Sequence, residues 1–220
     1  MNLLVENKNK NQPVPIIIDT DIGDDVDDTW AIAFLLSLKH YANIILVSTA
    51  GKGNHRKRAA IVAQMCQRAQ RSEIPIVCGV EDKTEDGREY TEGGRELSQL
   101  KWLQDTVDNT LALYPNFIDS VKSGQQIVNT VMQSKNHVTI MAIGPMHNVA
   151  AALMIEPGIA KRVNFVSMAG SIYKGYGNSK KPAPEFNIAD AVDAAKIVFK
   201  AKWNSVSLLT YYYYILHEII

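Results

Sequence analysis

Ile16-Ile17-Ile18-Asp19-Thr20-Asp21-Ile22-Gly23-Asp24-Asp25-Val26-Asp27-Asp28 runs an apolar segment straight into six carboxylates within ten positions. A short apolar run bounded by a turn signal reads as a buried strand. Ionised carboxylates at this spacing repel one another, so the cluster demands a cation or a polyhydroxylated ligand as compensation. Gly23 lets the backbone turn sharply enough for Asp21, Asp24 and Asp25 to converge. Asp27 and Asp28 lead into Thr29-Trp30-Ala31-Ile32-Ala33-Phe34-Leu35-Leu36, where acidic residues suit a helix start. A cap takes one or two Asp, which leaves most of the six unexplained by capping.

Outward from this stretch, apolar runs alternate with helix-period segments along the chain. Residues 16–19, 44–49, 74–78, 138–143, 164–168 and 206–209 read as short buried strands. Helical patterns occupy about 27–39, 56–71, 120–133, 148–155 and 191–200. The expected fold class is therefore α/β: a mostly parallel sheet with helices on both faces, in which ligands sit beyond the carboxyl ends of the strands. Polar groups fall at those ends: Asp19 to Asp25, then Thr49-Ala50-Gly51-Lys52-Gly53-Asn54, Ile143-Gly144-Pro145 and Ala169-Gly170-Ser171. Residues 79–115 lack strong periodicity and read as an excursion over the same rim.

Composition narrows the partners. Lys plus Arg and Asp plus Glu are equal at 23 each, so no global field points to nucleic acid or to an anionic membrane, and a small molecule is the expected partner. With 46% hydrophobic content, 220 residues can bury one sizeable core. No run approaches the ~18 apolar residues of a membrane span. Cys66 and Cys78 lie among apolar neighbours and read as buried free thiols of a reducing compartment, hence a cytoplasmic expectation. The expected organisation is a disordered Asn/Lys-rich tail over residues 1–12, a domain over 13–209 and an atypical tail over 210–220. No interface stripe fixes the oligomeric state, and a homo-oligomer is compatible with the sequence.

Asp21 and Asp25, with a third oxygen from elsewhere, suit a hard cation such as calcium. The five histidines show no ligand spacing, and His147 alone stands well placed on the rim. Asn178, Glu185 and Asn187 lie on one Gly/Pro-rich loop and offer amides and a carboxylate to vicinal hydroxyls, as a sugar requires.

Asp19-Thr20-Asp21-Ile22-Gly23-Asp24-Asp25, Gly53-Asn54, Ala142-Ile143-Gly144-Pro145-Met146-His147-Asn148-Val149-Ala150 and Glu185-Phe186-Asn187 together resemble the successive motifs of the inosine/uridine-preferring nucleoside hydrolases. The resemblance implies hydrolysis of the N-glycosidic bond of ribonucleosides with a calcium-bound water as nucleophile. It implies that Asp21, Asp25 and the backbone carbonyl of Ile143 ligate Ca2+, and that Asp21 also accepts a proton from the water. It further implies ribose contacts from Asp24, Asn54, Asn178, Glu185 and Asn187, with Asp19 behind them orienting the ligands. Such hydrolysis passes through an oxocarbenium-like sugar, which carboxylates stabilise. Trp102, Tyr173 and Tyr176 are candidates to stack on the base, and no residue stands out as the leaving-group acid.

The family pattern goes on from a last buried strand to another metal-binding Asp, where this chain has Thr210. The chain then reads Tyr211-Tyr212-Tyr213-Tyr214 and ends at Ile220, about a third short of a typical member, so a fold incomplete at its C-terminus and weakened metal binding are expected. Two other readings compete. Ile17-Ile18-Asp19-Thr20-Asp21 also resembles the first motif of haloacid-dehalogenase-like phosphatases, with Asp19 as nucleophile. A non-catalytic riboside-binding product is the other.

Overall fold

The computed structural model describes residues 12–51, 53–79, 97–119, 122–171, 179, 181 and 183–210. Its strands are β1 (Val14–Thr20), β2 (Ala42–Thr49), β3 (Ile76–Val77), β4 (Phe117–Ile118), β5 (Val138–Ala142), β6 (Val163–Met168) and β7 (Ser205–Leu209). Its α-helices are α1 (Asp27–Ser37), α2 (His55–Arg68), α3 (Val107–Ala112), α4 (Ser123–Gln133), α5 (His147–Ile155), α6 (Phe186–Asp190) and α7 (Val192–Lys200). Two 3-10 turns, Ser98–Trp102 and Pro157–Arg162, complete the set among the described residues.

The strands form one sheet in the order β4-β3-β2-β1-β5-β6-β7, and every pairing is parallel. Parallel neighbours need a crossover, and helices supply it on both faces. Successive side chains of β1 point to opposite sides, so Ile16 and Ile18 enter one core and Ile17 the other. The first core is closed by Ile32, Leu35 and Leu36 of α1, Ala59 to Ala63 of α2 and Leu111 of α3. The second is closed by Ile127 and Val131 of α4, Val149 and Leu153 of α5, and Ala195 and Val198 of α7. The register shifts between Ile16 and Ile17, whose partners are Ile44 and Leu46. Ile45 is the extra residue of this bulge and packs toward the same core as Leu46.

From β1 the chain builds outward through β2, β3 and β4, then returns to the opposite side of β1 as β5. The strand order reverses between β1 and β5, and in open α/β sheets a crevice opens at the carboxyl ends of such a pair. The carboxylate cluster follows β1 directly.

The expected strands are present, with β3 reduced to two residues. Three short elements differ from the sequence reading. β4 is two residues long, too short for periodicity to show. α3 is set off by Thr106, whose hydroxyl accepts from the Asn109 N–H at 3.2 Å. α6 is five residues long and capped by Glu185. The helix expected over 56–71 ends at Arg68, and Gln70 takes φ 56° as the chain turns away. Cys66 and Cys78 are buried and free, and burial pushes the Cys66 thiol up to about 11. Among the described residues no helix is long and apolar enough to cross a membrane. The tail expected over 1–12 is described only at Gln12, and residues 211–220 lie outside the described set.

Candidate active site

The acidic turn is held by its carbonyls. Past the end of β1 the chain can no longer pair as a strand, so the carbonyls of residues 21–25 need donors from elsewhere. Arg58 of α2 donates to the carbonyls of Asp21 and, at 2.8 Å, Ile22. The 3-10 turn at 98–102 supplies the rest: the Gln99 N–H donates to the Gly23 carbonyl at 3.0 Å, the Ser98 hydroxyl to Asp24 at 2.8 Å, and Gln99 Nε2 to Asp25 at 2.5 Å. Gly23, at φ 136°, lies against Leu97, whose Cδ1 would stand 2.8 Å from an added Cβ. The sequence shows residues 79–115 only as a rim excursion, and it gives no sign of Arg58. Neither carries a motif, because any donor can satisfy a carbonyl.

Asp19, at the end of β1, is wholly buried. Its Oδ1 accepts from the Ser48 hydroxyl at 2.6 Å and from Asn148 Nδ2 at 2.7 Å, while Oδ2 is buried without a partner. Asn148, in the first turn of α5, also donates to the Thr49 carbonyl at 2.8 Å and accepts from the Ser123 hydroxyl at 2.6 Å. Burial pushes the Asp19 carboxyl up to about 7 against the lowering effect of the Asn148 and Ser48 hydrogen bonds. A nucleophile must reach solvent-borne substrate, so this burial argues against the phosphatase reading of Asp19.

Asp21 stands half-buried at the switch point. Gly144, just past β5, meets it so closely that an added Cβ would lie 2.7 Å from the Asp21 nitrogen and 2.8 Å from its Oδ1. Burial raises the Asp21 carboxyl, and Arg58 pulls it back down. Its neighbour among the carboxylates is Asp28, which is buried and within hydrogen-bonding reach of Asp21. Asp28 Oδ2 also accepts from the Thr20 hydroxyl at 2.5 Å. Burial, with Asp21 alongside, pushes Asp28 well above the ordinary carboxylate range.

The structure brings Asp21 and Asp28 together beside β1. Asp25 is exposed, and what the turn uses is its backbone carbonyl. Asp28 does sit in the first turn of α1, as a helix-start residue should. One signal in the sequence points further: with α1 beginning at Asp27, position 28 falls on the same side as the buried Ile32 and Leu35, at helical spacing.

Of the expected ribose contacts, Asp24 is half-buried within the turn. Asn54 adopts the left-handed conformation (φ 58°) ahead of α2, with its Oδ1 buried and unpartnered. Glu185 is buried and accepts three backbone N–H groups: Asn187 at 2.8 Å, Ile188 at 3.2 Å and Gly170 at 3.1 Å. Asn187 Nδ2 donates to the carbonyls of Ile143 and Met168, both at 3.0 Å, and so ties the end of β5 to the end of β6. The Ile143 carbonyl therefore lies on the rim with an amide already on it. Asn178, Tyr173 and Tyr176 lie outside the described residues, and Trp102 is exposed at the end of the 3-10 turn. Thr210 follows β7 and is half-buried.

Among the described residues no three His, Cys, Asp or Glu side chains converge as a ready metal cluster. The donor chemistry nonetheless fits a hard cation: two adjacent carboxyls, both raised by burial, with a backbone carbonyl on the same rim.

The profile described as inosine-uridine preferring nucleoside hydrolase matches residues 16–214. The chain belongs to that nucleoside hydrolase family. Relatives include a rice protein named probable uridine nucleosidase 2, 27% identical over 188 residues, covering 84% of this chain and 52% of the rice protein. Another is the pyrimidine-specific ribonucleoside hydrolase RihB of Escherichia coli, 27% identical over 191 residues, 84% of this chain and 55% of that protein. The chain spans about half the length of these family members. Among solved structures, the inosine-uridine preferring nucleoside hydrolase of Bacillus anthracis superposes with a TM-score of 0.70 at 17% identity, over 90% of this chain and 65% of that one. A plant nucleoside hydrolase, PpNRh1, does so with a TM-score of 0.68 at 24% identity, over 91% and 60%. These two likenesses establish the family's fold in this chain.

Proposed function

We propose that this chain carries the ribose- and cation-binding half of a nucleoside N-ribohydrolase, which cleaves the bond between base and ribose with water. The observation that carries the reading is the Asp21–Asp28 pair at the β1/β5 switch point, two carboxyls side by side and both raised by burial, in a family matched over residues 16–214. In this proposal Asp21 and Asp28 hold Ca2+, with the Ile143 carbonyl on the same rim, and Asp28 takes the role first expected of Asp25. Calcium there supplies a Lewis acid that makes water a better nucleophile at neutral pH.

The chain's own residues then do the following. Asp21 takes the proton released as the water oxygen bonds to the ribose anomeric carbon. The electron pair of the breaking glycosidic bond leaves with the base nitrogen, and positive charge develops on the sugar ring. Asp24 and the unpartnered Oδ1 of Asn54 face ribose hydroxyls, and the Asp24 carboxylate, which is not engaged by the cation, stabilises the developing charge. Glu185 and Asn187 fix the far wall by tying Gly170, Met168 and Ile143 together. The names of the relatives favour uridine and inosine as first substrates.

The test is ribose release from uridine and inosine, with calcium and with EDTA, alongside calorimetric titration of calcium. Calcium-dependent ribose release is expected. Calcium binding without ribose release would favour the non-catalytic riboside-binding reading, and absence of both would sink the proposal.

A further inference from the structure

Arg58 is the one buried Lys or Arg among the described residues, only 6% exposed. It sits on α2 and reaches back under the acidic turn. Its Nη1 donates to the Asp21 carbonyl and to the Ile22 carbonyl, the latter at 2.8 Å. Its Nε is buried with no partner, so part of the guanidinium's hydrogen-bonding capacity goes unused there. Gly51 packs against both residues: an added Cβ would lie 3.2 Å from Asp21 Cβ and 3.7 Å from Arg58 Nη2. Three acidic side chains, Asp19, Asp21 and Asp28, crowd this end of β1 with Asp27 close by. Burying a guanidinium carries a heavy desolvation penalty unless nearby negative charge offsets it.

We propose that Arg58 is a positioning residue, a built-in countercharge that keeps the Asp21–Asp28 pair assembled when no metal ion is bound. Through the two carbonyls it also fixes where the turn leaves β1. It neither touches substrate nor exchanges a proton. The assignment deepens the proposed site and shares with it the central place of Asp21.

A competing account makes Arg58 a clamp for the two carbonyls, with its charge irrelevant. A double-mutant cycle in EDTA separates the two, because Asp21→Asn removes the carboxylate charge and leaves the backbone carbonyl that Arg58 holds. Arg58→Met is expected to lower Tm by about 5 °C or more in the native background. In the Asp21→Asn background the loss should shrink to less than half. A loss that persists at more than half overturns the countercharge assignment. Should Arg58→Met leave too little folded protein to melt, Arg58→Gln keeps an N–H donor, removes the charge, and runs the same cycle, with the same shrinkage expected and the same persistence overturning it. Calcium does not enter this cycle, so a failure of calcium-dependent ribose release would count against the hydrolase reading and leave the Arg58 assignment to its own test.

Discussion

Single carboxylates decide this site, and they differ because their surroundings differ. Asp25 is exposed whereas Asp28 is buried against Asp21, so equal substitutions at the two should have unequal effects. Loss of an outer partner of a metal ligand typically costs 10–100-fold, so Asp28→Asn is expected to weaken calcium binding and ribose release by about 100-fold or more. Asp25→Asn should change either by less than about 3-fold, as surface substitutions do. Titration calorimetry and initial rates on uridine check both, and equal losses would return Asp25 to the centre. Asp19 gives a second test. Its carboxyl is ordinary at 3.8 in the unfolded chain and about 7 in the fold. Between those values the native state holds a proton that the unfolded chain has released, so stability falls as pH rises through that window. Cation-free protein should therefore melt higher at pH 5 than at pH 7.5, and Asp19→Asn should flatten that slope. A melting temperature that rises over the same interval, with the slope unchanged in the variant, would contradict the shift.

At the level of elements, the long apolar runs were legible because a buried parallel strand must be apolar on both faces, as Ile16, Ile17 and Ile18 show by entering two different cores. β4 and α6 were not, since two and five residues carry no period. The candidate site was legible where side chains cluster in sequence, as at Asp19 and Asp21, and illegible where the partner arrives from afar, as with Arg58 and Gln99. Asp28 was hidden by an equally valid local explanation, the acidic first turn of a helix. Close approach of elements is likewise read only in three dimensions. Gly124 of α4 abuts α5, where an added Cβ would lie 2.8 Å from Ala151 Cβ and 3.0 Å from the Ala151 carbonyl carbon. Gly124→Ala forces the two helices apart at a cost of about 1–3 kcal/mol. A Tm lower by roughly 2–10 °C is expected, since each kcal/mol shifts a domain of this size by a few degrees. A thermal melt checks it, and an unchanged Tm would mean that α4 yields without strain. Gly144→Ala is the counterpart at the site: its Cβ displaces Asp21, so ribose release should fall further than Tm alone explains.

For the whole molecule, the proposed cation would couple chemistry to stability. A ligand that binds only the folded state adds about 2.7 kcal/mol at a hundredfold excess over its Kd. Saturating calcium should accordingly raise Tm by roughly 5–10 °C and EDTA should reverse the gain. Differential scanning fluorimetry with magnesium as comparator reads this directly, and a Tm indifferent to calcium would remove the cation from the account. The placement of the site at the strand-order reversal has one more consequence. Asp19 and Asn148, hydrogen-bonded in the native fold, stand 129 positions apart in the chain. Contacts so distant in sequence form late, after the entropy of closing the intervening chain has been overcome. During refolding, helical signal should therefore return well before any calcium-dependent change in melting or fluorescence. A nascent chain that has emerged only as far as β4 carries all six carboxylates of the turn without the strand that completes their setting, so until β5 docks their mutual repulsion works against folding.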